Sequence, residues 1–441
     1  MKRSFVIACA TLPIATGVAC AASEDGDPSI APHSPSVVEA ADAATREAAV
    51  DADAAPPTCS PAGWCITSLP DADLVMKDIW PVPGHAFALA ESPTLGVRVL
   101  EWEDTSATWK YIDDNTQNEP GYGQYLGRIW SPGENEIYFG IAPGTIYHGV
   151  RAQPPATGWS WTRDRLPDNG TNVEDGYPIY RNLTSIGETQ LFELSSRYPA
   201  LGVWGTSSDD VYAWYADTIY HWVSDDGGAP SWVAEYVAAD RDDPSERLYV
   251  LGAAGTNRDD VWFSIARESY SIFTELSSCA ILMRKTPAGY DRIADGVISA
   301  NTCRDKAGFL RLGDGGWLTD LQAVAGNRFV GLRGARDVVE ISVEGDTYSV
   351  TVAPVPAKAA DVPFSSLWAA PEEQVWLAGR SVVVRGADVG DGGAYQISTT
   401  SLNGGVLNKP AYERPLYHVR GTSNTDLWVI GDRYALHKTT P

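Results

Sequence analysis

Basic residues, cysteines and long apolar runs are all scarce in this chain. Across 441 residues, 33 Lys and Arg face 57 Asp and Glu, for a formal net charge of −24. Such an acidic surface repels phosphate backbones and anionic headgroups, which argues against nucleic acid and anionic lipid as partners. After the first twenty residues no stretch reaches the roughly eighteen apolar residues that a membrane-spanning helix needs. The 6 cysteines include no CxxC pair and no neighbouring histidine, so a zinc site has no ligand set. G-x-S-x-G, H-E-x-x-H, the P-loop and a strand-borne GxGxxG are missing as well. The expectation is a chain without bound metal or cofactor, and with no recognisable catalytic motif.

The N-terminal residues supply a compartment. Lys2 and Arg3 precede a mostly apolar run from Ser4 to Ala19, followed by small residues, so 1–20 reads as an export signal. Gly17-Val18-Ala19-Cys20 resembles a lipobox and makes Cys20 the candidate for acylation, whereas Ala19-Cys20-Ala21 also suits ordinary signal peptidase cleavage. The first alternative predicts an outer-membrane or cell-surface lipoprotein held by a lipid anchor; the second predicts a periplasmic or secreted protein. Residues 21–58 are rich in Ala, Asp, Glu, Ser and Pro, with no aromatic residue. They cannot bury enough apolar surface to offset the entropy of ordering, so they are expected to form a disordered acidic tether. All 16 tryptophans come after residue 60, which places the folded unit at 59–441.

Export also sorts the cysteines. Cys9 leaves with the signal and Cys20 is set aside, so four remain in an oxidising compartment. Of three possible connectivities, Cys59–Cys65 with Cys279–Cys303 is the economical one. Loop-closure entropy gives these bridges about 2.4 and about 3.5 kcal/mol.

A ten-residue phrase then decides the fold. Its clearest copy is Val203 to Tyr212 (VWGTSSDDVY), with others at Ile129–Tyr138, Ala253–Trp262, Leu367–Trp376 and Val419–Trp428, and shorter versions around Trp80 and Val324. The second position falls at residues 80, 130, 204, 254, 324, 368 and 420. The spacings are 50, 74, 50, 70, 44 and 52, and periods near 40–50 residues with strand-like content in each repeat are the signature of a β-propeller. Each copy reads as strand, turn, strand, with Asp or Asn before the second strand because short polar side chains bond their own backbone there. A second hairpin follows, as in Val211–Tyr215 and Thr218–Trp222, and then an outer strand such as Ser231–Tyr236. The prediction is an all-β, seven-bladed β-propeller of four-stranded blades. The last blade offers three strands before Pro441, so Gly63–Leu69 is expected to supply its outer strand and close the ring.

The run CSPAGWC (Cys59 to Cys65), a strand, and repeats such as VWGTSSDDVYAWYADTIYHW (Val203 to Trp222) resemble a group of myxobacterial exported lipoproteins. Those carry VWG…DVWAVG…TILHW repeats. The resemblance spans 59–441 and implies fold and compartment but no ligand. Blades four and five depart from it, with Ala254 and Val324 where the first Trp should stand.

Function is read from the insertions. His148, His221 and His437 hold equivalent third-strand places, which the ring keeps apart, so they are read as repeat-structural residues. The long connections 113–127, 167–200, 239–248, 296–319, 357–366, 403–416 and 268–278 all emerge on one face. Growth confined to one face favours binding. Tyr122, Tyr125, Tyr177, Tyr180, Arg181, Tyr270, Arg304, Asp305, Tyr412 and Arg414 are the candidate ligand contacts there, since Tyr and Arg supply area and directional hydrogen bonds. The expected protein is a monomeric, non-catalytic binding or scaffold module for an envelope glycan or protein. The alternative is a propeller enzyme, glycoside hydrolase or lyase-like, acting on extracellular polysaccharide.

Overall fold

The computed structural model describes residues 59–118, 126–141, 144–167, 200–224, 228–239, 246–271, 274–360, 362–370, 374–380, 382–386, 394–398, 400 and 415–440. Seven four-stranded antiparallel sheets account for most of them, with no α-helix among the described residues. The sheets are the blades of a seven-bladed β-propeller. Their inner strands are Val75–Val82, Leu126–Gly133, Leu201–Ser207, Glu246–Asn257, Leu318–Ala325, Phe364–Ala369 and Leu416–Ser423. Inner strands of successive blades touch all the way round, and that of blade seven touches that of blade one.

Local chemistry explains why each phrase folds as it does. Its second position pairs across the first hairpin with an aromatic residue: Trp80 with Phe87, Trp130 with Tyr138, Trp204 with Tyr212, Ala254 with Trp262, Trp368 with Trp376 and Arg420 with Trp428. The polar turn between the two strands is tied to itself. Thr206 Oγ1 donates to Asp210 Oδ2 at 2.5 Å, and the Asp259 amide donates to Asn257 Oδ1 at 2.9 Å. Blade five differs from the sequence reading by one residue. A register shift between Thr319 and Gln322 places Ala323, not Val324, opposite the aromatic Phe329.

The core lies between blades. Seven apolar clusters are each fed by two neighbours; one joins Phe87, Leu89 and Val99 of blade one to Ile129, Ile137 and Phe139 of blade two. The cluster between blades seven and one, with Trp428, Ile430, Met76 and Trp102, completes the circle. Each such large side chain taken out of water contributes roughly 1.5–3 kcal/mol, so no blade is stable without its neighbours.

Closure follows the expected route. Trp64–Thr67 pairs antiparallel with Tyr434–Lys438, the third strand of blade seven. Trp64 is fully buried against Trp376, with ring centroids 6.1 Å apart. Both expected disulfides, Cys59–Cys65 and Cys279–Cys303, are formed.

Blade four corrects one expectation. The segment 268–278 is not a loop but the end of a long hairpin, Asp260–Ser271 with Thr274–Thr286, so Tyr270 stands on a strand. Within 296–319 a two-stranded ladder, Gly296–Ser299 with Thr302–Asp305, is stapled to that hairpin by Cys279–Cys303. A buried ion cluster anchors the hairpin base. Arg267, with no exposed surface, donates to Glu246 at 2.6 Å and to Asp295 at 3.0 Å, and Arg292 and Lys306 also reach Asp295.

Candidate functional site

The equivalent histidines are part of the repeat. His148, His221 and His437 stack face to face on Tyr138, Tyr212 and Trp428, with centroids 4.1, 4.2 and 3.9 Å apart. Each also bonds an acid from the start of the second strand: Glu136 at 2.8 Å, Asp210 at 3.1 Å and Asp426 at 2.9 Å. Three separate blades repeat one acid–aromatic–imidazole sandwich, which locks the second strand to the third. Burial pulls the His221 imidazole down, but Asp210 and Glu235 outweigh it and hold it above its ordinary value.

Polar side chains converge elsewhere, in the central channel. A cavity of about 340 Å³ there is lined by Trp80, Trp204 and Trp368, by Gln322 and Thr422, and by four charged residues from four blades. Asp78, Arg128, Asp320 and Arg420 are all nearly buried. Asp320 Oδ1 lies 2.5 Å from Arg420 Nη2 and 3.3 Å from Arg128 Nη2, so it is bound from blades seven and two while sitting on blade five. Its other oxygen accepts the Leu367 amide at 3.1 Å. Asp320 has a left-handed φ of 50° at the register shift of its strand. That conformation is tolerated by Asp more readily than by most side chains, and it accompanies the bulge that sets this carboxylate at the channel.

Asp78 accepts the amides of Ile79 at 2.9 Å and Ile129 at 3.1 Å, with Arg128 Nη1 4.0 Å away. The two carboxyls are driven apart in acidity. Burial pushes Asp78 up, with Arg128 and Arg420 only partly opposing it. Burial also acts on Asp320, but the Arg420 and Arg128 guanidiniums outweigh it and hold that carboxyl below its ordinary value. Arg420 further donates to Ser366 Oγ at 3.0 Å and to the Leu367 and Val419 carbonyls at 3.1 and 2.9 Å. The quartet sets two carboxyls among two guanidiniums. It cross-braces the ring and presents hydrogen-bonding groups at the cavity.

The cavity has a direction. Every inner strand runs from the long interblade connections to the short first turn of its blade. Asp78, Arg128 and Asp320 are buried, whereas Trp80, Trp204, Gln322, Ala323 and Thr422, further along their strands, are half-buried. The rim is therefore tryptophan-rich and faces the first turns, with the charged quartet beneath it.

The residues expected from sequence do not meet there. Arg304 and Asp305 are exposed on the stapled ladder of blade four, with Asp305 Oδ1 2.7 Å from Arg311. Tyr270 lies on the long hairpin. Tyr122, Tyr125, Tyr177, Tyr180, Arg181, Tyr412, Arg414 and Cys20 lie outside the described residues. The channel quartet was missed, although a signal existed. Asp78 and Arg128 stand two places before the phrase's second position, inside otherwise apolar strands, and Arg420 occupies a place that other copies give to Trp.

No protein family matches the sequence, and no curated protein matches it either. Solved structures match in fold. YCF48 bound to D1 peptide is 13% identical with a TM-score of 0.50, covering 88% of this chain and 98% of its own. YCF48 from Cyanidioschyzon merolae is 13% identical with a TM-score of 0.53, covering 85% and 98%. A PL25 polysaccharide lyase, an ulvan lyase, is 10% identical over 87% of this chain and 94% of its own, with a TM-score of 0.47. Identities this low establish the propeller alone.

Proposed function

We propose that this chain is an exported binding propeller that takes its ligand, without catalysis, in the tryptophan-rimmed end of its central channel. One observation carries the proposal: across the ring, side chains from several blades converge on one cavity with half-buried aromatic faces above hydrogen-bonding groups. Concave, largely apolar sites with a few placed polar groups are where small ligands bind. The channel carboxylates fit this better than they fit glycosidase chemistry. Both are engaged by backbone amides, and Asp320 by two guanidiniums as well, which leaves neither free to transfer a proton or attack a sugar.

Export is supported by the signal-like 1–20 segment and by two disulfides, which persist in oxidising compartments. An envelope glycan is the proposed ligand class. A peptide is its competitor, since a propeller of this fold has been solved with one bound.

Trp80 and Trp204 report occupancy directly. Adding envelope glycan fractions to the full chain should shift its tryptophan emission, and Trp80→Phe/Trp204→Phe should abolish most of that shift. Emission unchanged by every glycan and peptide fraction would reject the channel as a binding site.

A further inference from the structure

We propose that the channel cavity binds a sugar acid, its carboxylate set against Arg128 and Arg420 and its ring against Trp80 and Trp204; this rests on the channel reading above. The ionic groups of the quartet are not equally open to the cavity. The Asp320 side chain has no exposed surface, so the 8% that the residue keeps is main chain. The Arg128 and Arg420 side chains each keep 10%, and both residues line the cavity. Asp78, with 7% of its side chain exposed, is the one carboxyl that shares this surface. What the quartet offers a ligand is therefore mostly arginine, with the Asp320 carboxylate sealed from it.

The charges behind that surface do not balance. Arg420 is held hard against Asp320 at 2.5 Å, whereas Arg128 meets Asp320 at 3.3 Å and Asp78 at 4.0 Å. A charge-assisted hydrogen bond is shorter, about 2.7–2.9 Å, so Arg128 is drawn toward its carboxyls without being locked to either. Burial raises Asp78, which therefore keeps its proton more readily than Asp320 and offsets less positive charge. Two guanidiniums thus share one firmly ionised carboxylate, and no other residue lining the cavity carries a charge. An excess of buried positive charge is costly, and an anion entering the cavity relieves it.

These features select the anion. An excess of one charge suits a monoanion rather than a doubly charged phosphate. The planar guanidinium fork matches a carboxylate, which can accept two parallel N–H bonds. The flat faces of Trp80 and Trp204 suit the C–H surface of a pyranose. A volume of about 340 Å³ suits a single sugar end group better than a run of peptide. The chain's net charge of −24 repels an extended polyanion, so the acid that enters is a terminal one.

Isothermal titration of the full chain with methyl glucuronide, its neutral amide, methyl glucoside, a sulfated glucose and N-acetylalanine tests this. Methyl glucuronide should bind at least about tenfold more tightly than the other four. Arg128→Gln, which keeps a hydrogen-bonding side chain and removes the charge, should bring the glucuronide to within about threefold of its amide. If that variant does not fold, the comparison of glucuronide with amide on the wild-type chain decides alone. A full preference in folded Arg128→Gln overturns the role given to Arg128. Equal or tighter binding of the amide or the glucoside overturns the acid, and of the sulfated glucose overturns the carboxylate. Equal or tighter binding of N-acetylalanine overturns the sugar in favour of a peptide end. Silence from all five probes overturns the inference, while a fluorescence response to another envelope fraction would leave the channel reading standing.

Discussion

At the scale of single residues, the channel quartet and the histidine sandwiches answer to different forces. Removing the charge of Asp320 takes the carboxylate away from two nearly buried guanidiniums, and breaking a buried pair typically costs about 3–5 kcal/mol. Asp320→Asn should therefore lower the urea unfolding free energy by about that much. Asp209→Asn, whose partner Arg258 is 56% exposed, should stay within about 0.5 kcal/mol of wild type. Equal losses in the two variants would contradict the quartet's bracing role.

His221 supplies a pH test. Its folded value is raised, so its contribution is complete below the free imidazole value of about 6.5 and is lost as pH climbs through the raised value. The carboxyls of Asp210 and Glu235 behave oppositely. Burial raises them, hydrogen bonds from His221 and other partners more than compensate, and their contribution fades as pH falls through the lowered values. His221→Phe keeps a ring on Tyr212 but loses the charge. The stability gap between wild type and His221→Phe should narrow between pH 6 and pH 9, read by urea unfolding; a gap constant over that range would show that His221 acts by packing alone.

At the scale of strands, most of the fold was legible because each phrase encodes its own hairpin. Trp204 opposite Tyr212 and the Asp210 turn are local events, so a ten-residue window contains their cause. Ring closure was legible from a missing strand. Deleting residues 59–70 should unfold the whole ring cooperatively at a lower temperature, since it opens the Tyr434–Lys438 edge and removes buried Trp64. Retention of full thermal stability by the truncated protein would refute closure by Trp64–Thr67.

Where sequence reading fell short, the cause was non-local. The long hairpin of blade four looked like a loop because what fixes it is a disulfide to Cys303 and a buried Arg267 reaching Asp295, which lie 24 and 28 residues from their partners. The shift of blade five by one residue comes from a bulge at Asp320 and Leu321 that leaves no mark in the spacing of apolar residues. Asp320 and Arg420 are 100 positions apart, and only the closed ring makes them neighbours.

At the scale of the whole molecule, the two ends of the channel differ. The inner strands all begin at one end, and the half-buried side chains that line the cavity lie further along them, toward the other. The sequence pointed to the first end through loop length and Tyr and Arg content, a statistical cue about loops rather than a geometric one. The tryptophan rim is a product of assembly, because Trp80 and Trp204 come from different blades and line one cavity only when the ring closes. Shortening a surface loop costs little stability. Trp80 and Trp204 also pack against the interblade clusters, so the tryptophan variant is compared at a temperature where its unfolding curve shows it folded. The most direct test is therefore the retention of envelope glycans on the immobilised full chain, compared with Trp80→Ala/Trp204→Ala and with a variant whose residues 167–200 are replaced by a short Gly/Ser turn. Retention should fall at least about tenfold in the tryptophan variant, the loss of about 1.4 kcal/mol or more, and persist in the loop variant; persistence in the first with loss in the second would contradict binding in the channel.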